Sequence, residues 1–154
     1  MANVYTTFAT DQLAALADGS ERPTLPLNGG NVHTVQVTRT AYTAATADPL
    51  YLVRLPKGAR VIPNSCSVDH GDAGDALTGD VGYIYDDGTG AAAAYADNLA
   101  LGTSAGSKQF HGFPGTANTA PVTLTAPAWV YVTWGTATNP ASHTQLWTIT
   151  YTLA

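Results

Sequence analysis

Residue types that do chemistry are thinly spread along this chain. Carboxylates cluster once, at Asp69, Asp72 and Asp75, with Asp86 and Asp87 a short way on. Such oxygens suit a hard cation like Ca²⁺. Their spacing departs from that of an EF-hand loop and lacks its closing Glu, and Asp beside Gly is above all turn chemistry. Turns are expected here, and no metal.

The histidines His33, His70, His111 and His143 are scattered, with no pair spaced for zinc on a shared element. A serine hydrolase needs a nucleophile, a base and an orienting acid, yet no Gly-x-Ser-x-Gly elbow surrounds Ser20, Ser65, Ser67, Ser104, Ser107 or Ser142. A glycosidase needs two carboxylates in a cleft, commonly with a Glu acid, and the sole Glu21 sits in an irregular N-terminal stretch. Gly79 to Gly82 and Gly88 to Gly90 follow neither nucleotide fingerprint. The single Cys66 reads as core filler. A protein without enzymatic activity and without cofactor is therefore expected.

Aromatic rings are the remaining candidates for contact with a ligand. Trp129, Tyr131, Trp134 and Trp147, with Tyr83 and Tyr85, could stack on sugar faces as in glycan-binding modules. On alternating strands such rings mostly fill a core or cross-strand pairs, or an interface between subunits.

Composition narrows the partners. Charged residues are 11% of the 154, against an average of about 25%. The polar surface is built instead from Thr, Ser, Asn, Gly and backbone, and is inclined to meet other protein. The formal net charge is -5, and Arg22, Arg39, Arg54, Lys57, Arg60 and Lys108 form no basic stripe. Nucleic acid and anionic membrane surfaces are thus poor partners, and no apolar run reaches the ~20 residues that span a bilayer. The N-terminus Met1-Ala2-Asn3-Val4-Tyr5 lacks the basic-then-apolar order of a signal peptide. Synthesis in a reducing cytoplasm is expected.

The elements that must carry these residues are strands. Residues 1–31 have little periodicity, with Pro23-Thr24-Leu25-Pro26 and Asn28-Gly29-Gly30-Asn31. Only Asp11 to Ala17 could form a short helix, with Thr10 as N-cap and Gly19 past its end. Two helical turns are marginal alone, so an extended arm dotted with Val4, Tyr5, Phe8, Leu13 and Leu16 is predicted. It needs a surface to lie on: its own sandwich, a neighbouring subunit or a larger assembly.

From Val32 to the end one domain is predicted. His33 to Arg39 alternates, with Val35 and Val37 on one face. Tyr51 to Leu55 is apolar on both sides, as a central strand would be. Shorter strands are expected at Ala59 to Ile62 and Cys66 to Val68, then longer ones at Ala76 to Tyr85, Ala128 to Trp134 and Gln145 to Leu153, with Val122 to Thr125 between them. Turns are marked by Pro56-Lys57-Gly58 and Asp86-Asp87-Gly88-Thr89-Gly90. Ala91 to Ala100 has helical propensity and is expected to hold a turn or two of helix. Gly102 to Ala120 reads as irregular, with Phe110-His111-Gly112-Phe113 its apolar anchor. These features predict an all-β antiparallel sandwich, jelly-roll-like, with an extended N-terminal arm.

The order Leu50-Tyr51-Leu52-Val53-Arg54-Leu55-Pro56-Lys57-Gly58-Ala59-Arg60-Val61-Ile62, an acidic loop, Leu77-Thr78-Gly79-Asp80-Val81-Gly82-Tyr83, the Asp86 to Gly90 turn and Tyr95-Ala96-Asp97 resembles small structural proteins of tailed bacteriophages. The similarity covers Val32 to Ala105 and the closing Ile149-Thr150-Tyr151. It implies a virion component of the head decoration (cement) type, made in the bacterial host cytoplasm and sited on the capsid exterior. It further implies a homotrimer whose other partner is the major capsid protein, bridging adjacent capsomers. Contacts to shell or subunit are then expected from Val4, Tyr5, Phe8, Leu13 and Leu16 of the arm and from Arg54, Arg60 and Tyr83. A glycan-binding module and a tail or baseplate component are the alternatives.

Overall fold

The computed structural model describes residues 4–5, 32–39, 43–45, 48–74, 76–102, 104–110, 122–135, 138–140 and 142–153, the first pair by backbone alone. Ten strands are present among them: β1 (Val4–Tyr5), β2 (Val32–Thr38), β3 (Leu50–Leu55), β4 (Ala59–Val61), β5 (Ser67–His70), β6 (Thr78–Tyr85), β7 (Gly90–Ala100), β8 (Gly106–Gln109), β9 (Ala128–Trp134) and β10 (Gln145–Leu153). One 3-10 turn, Pro63–Ser65, is the only helical element among the described residues.

The strands form two sheets, as the alternation predicts. Sheet A has the order β1-β3-β9-β6-β7, and sheet B the order β2-β10-β5-β8, with β4 also paired to β10. Every pairing is antiparallel except β1 with β3. In sheet B the long β10 is central. β2 runs along one side of it, while β5 and β4 share the other. Trp147, Ile149 and Tyr151 point inward from β10 and are fully buried, as their spacing of two requires. Sheet A contributes Leu50, Val53, Val81, Val130 and Val132 to the same core.

Turn chemistry is where it was expected. Gly58 takes φ +84 in the Pro56-Lys57-Gly58 turn, and its N–H donates to Leu124 O at 2.8 Å. Gly88 takes φ +82, and Asp87 Oδ1 accepts from the Thr89 N–H and hydroxyl. Asp72 likewise accepts the Gly74 N–H.

Three expectations are corrected. Ala91 to Ala100 is strand β7, not helix. Ala's advantage in a helix is worth under about 1 kcal/mol per residue, whereas as a strand the segment pairs with β6 and buries Ala94, Tyr95, Ala96 and Leu99. Gly106 to Gln109 pairs with β5 as an edge strand exposed throughout, so no apolar alternation marks it in the sequence. Val122 to Thr125 contributes a single bridge, Thr123 to Arg60, and only Leu124 is buried. The short helix predicted at Asp11 to Ala17 lies outside the described residues.

Candidate functional site

Two groupings of side chains stand out from the general core. The first lies on the outward face of sheet A. Pairing sets Tyr51 of β3 beside Tyr131 of β9, and Arg54 beside Trp129 and Ile84 of β6. Because neighbours along a strand alternate in face, these residues look away from Leu50, Val53, Val130 and Val132. Tyr51, Trp129, Ile84 and Tyr131 accordingly form an apolar cluster separate from the core. Tyr51 meets Trp129 edge-on at 5.8 Å between ring centres and stacks on Tyr131 at 6.0 Å. Arg54 forms an ion pair with Asp86 at the rim.

Toward β7 the same face turns acidic. Asp80 accepts the N–H of Asn98, a residue at φ 52, while Asp97 accepts from the Asn98 amide. Burial pushes the Asp80 carboxyl up and the neighbouring Asp97 charge adds to this, while the Asn98 N–H opposes it. Burial, followed by the Asp80 charge, raises the Tyr131 phenol too.

The second grouping is polar and sits at one end of sheet B. Arg39, the inward residue after Val35 and Val37, sends its guanidinium to the carbonyls of Asn139, Pro140 and His143 at 3.2, 2.9 and 2.7 Å. Burial lowers its pKa to about 10, leaving it charged at neutral pH. His143 is buried, with Nε2 at 3.1 Å from Gly71 O. The Gly71 carbonyl can only accept, so Nε2 carries the proton of the neutral ring and Nδ1 accepts from Gln145 Nε2 at 3.0 Å. Gln145 Oε1 in turn accepts the Trp147 indole N–H at 3.1 Å. His70 Nδ1 reaches the same Gly71 carbonyl at 2.8 Å, its ring 5.9 Å edge-on from His143. Burial holds His143 below the usual histidine range, with Arg39 and His70 adding to the effect.

An open cleft of about 350 Å³ lies beside this network, lined by residues that include Thr38, Asp69, Gly106 and Leu146. The network's hydrogen bonds run from an indole to backbone carbonyls, with no hydroxyl, thiol or carboxylate in the relay. Its work is to tie the 139–143 loop to the end of β5. Burial pushes the Cys66 thiol up to about 11, and Sγ accepts the Thr150 N–H while lying 3.2 Å from Ile62 O. Among the described residues no three His, Cys, Asp or Glu side chains converge on one point.

The residues singled out from sequence fall as follows. Val4 and Tyr5 form β1 against Leu50 and Tyr51. Phe8, Leu13 and Leu16 lie outside the described residues, as do Asp75 and His111. Arg54 is half-buried on the outward face of sheet A, and Arg60 is exposed on β4. Tyr83 is on the core side of β6, against Tyr85 and Tyr95. The three therefore share no single surface. Trp134 and Trp147 are buried in the core and Trp129 in the outward cluster; Val32 is the one large hydrophobic residue exposed among those described.

The polar network was missed in the sequence, although its signal was there. Arg39 continues the inward register of Val35 and Val37, and Gln145 that of Trp147, Ile149 and Tyr151. A polar residue at an inward position has to find buried partners.

No family model matches the chain, and no curated protein matches it. Among solved structures, it is similar to a chain of the "Cyanophage Pam1 capsid asymmetric unit", with a TM-score of 0.53 and 23% identity. The match covers 88% of this chain and 96% of that one, so the two are of nearly equal length. At this identity the likeness concerns the fold: the two-sheet arrangement is shared over most of both chains.

Proposed function

We propose that this chain is a non-enzymatic structural protein of a tailed-phage virion, of the head decoration type, which binds the outer surface of the shell as a homotrimer and stabilises it. The observation that carries this reading is the fold shared, nearly end to end, with a chain of a cyanophage capsid asymmetric unit. The resemblance of Leu50 to Asp97 to small phage structural proteins points the same way, by an independent route. The physical character of the chain agrees. Among the described residues Cys66, His70, His143, Asp72 and Asp87 make hydrogen bonds within the fold, and the sparse charge suits extended, shape-matched contacts in which a few buried aromatic or Arg anchors dominate. Stabilisation would be mechanical, because a protein bridging neighbouring capsomers adds interface that has to be broken before the shell comes apart.

The test is reconstitution on undecorated heads of the phage that encodes the chain. Purified protein should add ordered surface density and raise the temperature at which the heads rupture, and light scattering should give a particle of three times 15.9 kDa. Labelled protein found only on tails, or heads that take up none of it, would overturn the reading.

A further inference from the structure

The turn between β6 and β7 contains a chemically labile pair, Asp87-Gly88, and exposes both residues to solvent. In such a pair the glycine nitrogen can attack the aspartyl side-chain carbonyl, because no Cβ on the glycine blocks the approach. The Gly88 N–Asp87 Cγ bond forms, one water leaves and a succinimide ring closes. Water then opens the ring at either carbonyl. Opening at the backbone carbonyl routes the main chain through Asp87 Cβ and Cγ and leaves the α-carboxylate free, which is isoaspartate. Water is the only co-reactant.

Ring closure makes two demands. The carboxyl reacts in its protonated form, whose hydroxyl leaves as water, and the Gly88 nitrogen has to give up its proton and reach Cγ. In this turn both groups are held. Asp87 Oδ1 accepts the Thr89 hydroxyl at 2.6 Å and the Thr89 N–H at 2.9 Å, the side chain bonding the backbone two residues on as Asp does in turns. The Thr89 hydroxyl, and after it the Thr89 N–H, keep the carboxyl below the usual carboxylate range and therefore ionised. The Gly88 N–H donates to Tyr85 O at 3.0 Å with Gly88 at φ +82, and the Tyr85 N–H donates to Thr89 O at 2.8 Å, which closes the hairpin.

We propose that Asp87-Gly88 is a latent site of aspartate isomerisation and that Thr89 is the positioning residue that holds it unreactive in the folded chain. Modification would lengthen the main chain by one carbon inside a tight hairpin and carry the carboxylate away from both Thr89 donors. The neighbouring Asp86, ion-paired with Arg54 of β3, stands on the same turn, so the change would reach the rim of the outward face of sheet A. The inference rests on the turn alone and is independent of the particle reading.

The test is a slow incubation of the whole protein at neutral pH and body temperature, with isoaspartate located by peptide mapping and isoaspartyl methyltransferase labelling. Asp87 of the parent should isomerise several-fold more slowly in the folded protein than in guanidinium chloride. Under native conditions Thr89→Val, which keeps the shape and the N–H but loses the hydroxyl, should raise the Asp87 rate several-fold, and Thr89→Ser should stay at the parental rate. Asp18-Gly19 and Asn28-Gly29, the other pairs of this kind in the sequence, appear in the same map and should react alike in all three proteins. An Asp87 rate in Thr89→Val equal to that of the parent would overturn the role of Thr89. Folded parent that isomerises at Asp87 as fast as the denatured chain would overturn the proposal outright, a comparison that needs no variant to fold.

Discussion

Replacing Gly82 with Ala isolates one steric demand of this sandwich. Between Val81, which pairs with Ala96, and Tyr83, which pairs with Ala91, β6 has the single residue Gly82 while β7 has Ala92–Tyr95. β7 arches there, which sends Ala94 and Tyr95 into the core, and the arch brings its carbonyls down onto the bare Cα. A Cβ at position 82 would lie 1.9 Å from Ala91 O and 2.4 Å from Ala92 O. Backbone in a close-packed interior cannot rotate aside as a side chain can, so β7 would have to recede by roughly 1 Å, loosening its ladder with β6. Overpacking of this kind costs up to about 3 kcal/mol, or a fall in Tm of about 6–12 °C for a chain of this size. Gly58→Ala is the control: its φ is +84 but nothing lies within 4 Å of the new Cβ, so only left-handed strain remains, about 1–2 kcal/mol. Urea unfolding of the two variants measures the difference. A Gly82→Ala cost equal to or below that of Gly58→Ala would refute the arch as the reason for glycine here.

Two further outcomes follow from the buried groups. His143 is held below its ordinary 6.5 by burial, so as pH falls below that value the unfolded chain takes up a proton before the folded one does and stability declines, until the folded ring also protonates. Urea midpoints across this range should show the decline in the parent and a smaller one in His143→Gln; parallel curves would remove His143 as the cause. Cys66, with its thiol raised to about 11, has almost no thiolate at neutral pH. A disulfide reagent should therefore label it only after denaturation, and fast labelling of the native protein would contradict its buried place beneath Thr150.

Much of this protein is legible from residue order. The spacing of two in His33 to Arg39 and Gln145 to Leu153 marks strands and their inward sides, because a pleated chain turns successive side chains to opposite faces. The Pro56-Lys57-Gly58 and Asp86 to Gly90 turns are equally local, since they depend on the φ that Gly and Pro accept.

What the residue order leaves open is everything that depends on which strands are neighbours. Ala91 to Ala100 favours helix by local propensity and becomes a strand because β6 offers a ladder and the core a place for Tyr95. Arg39, His143, Gln145 and Trp147 meet only because β2 and β10 pair in one register. Trp129 and Trp134 are five residues apart on one strand, yet one looks outward and the other into the core; alternation separates them, but only the second sheet tells which face is inside. Local chemistry sets the phase of each strand, and long-range packing sets its partners. For this chain the neighbours that complete the aromatic face and the buried polar network are therefore decided by the tertiary structure.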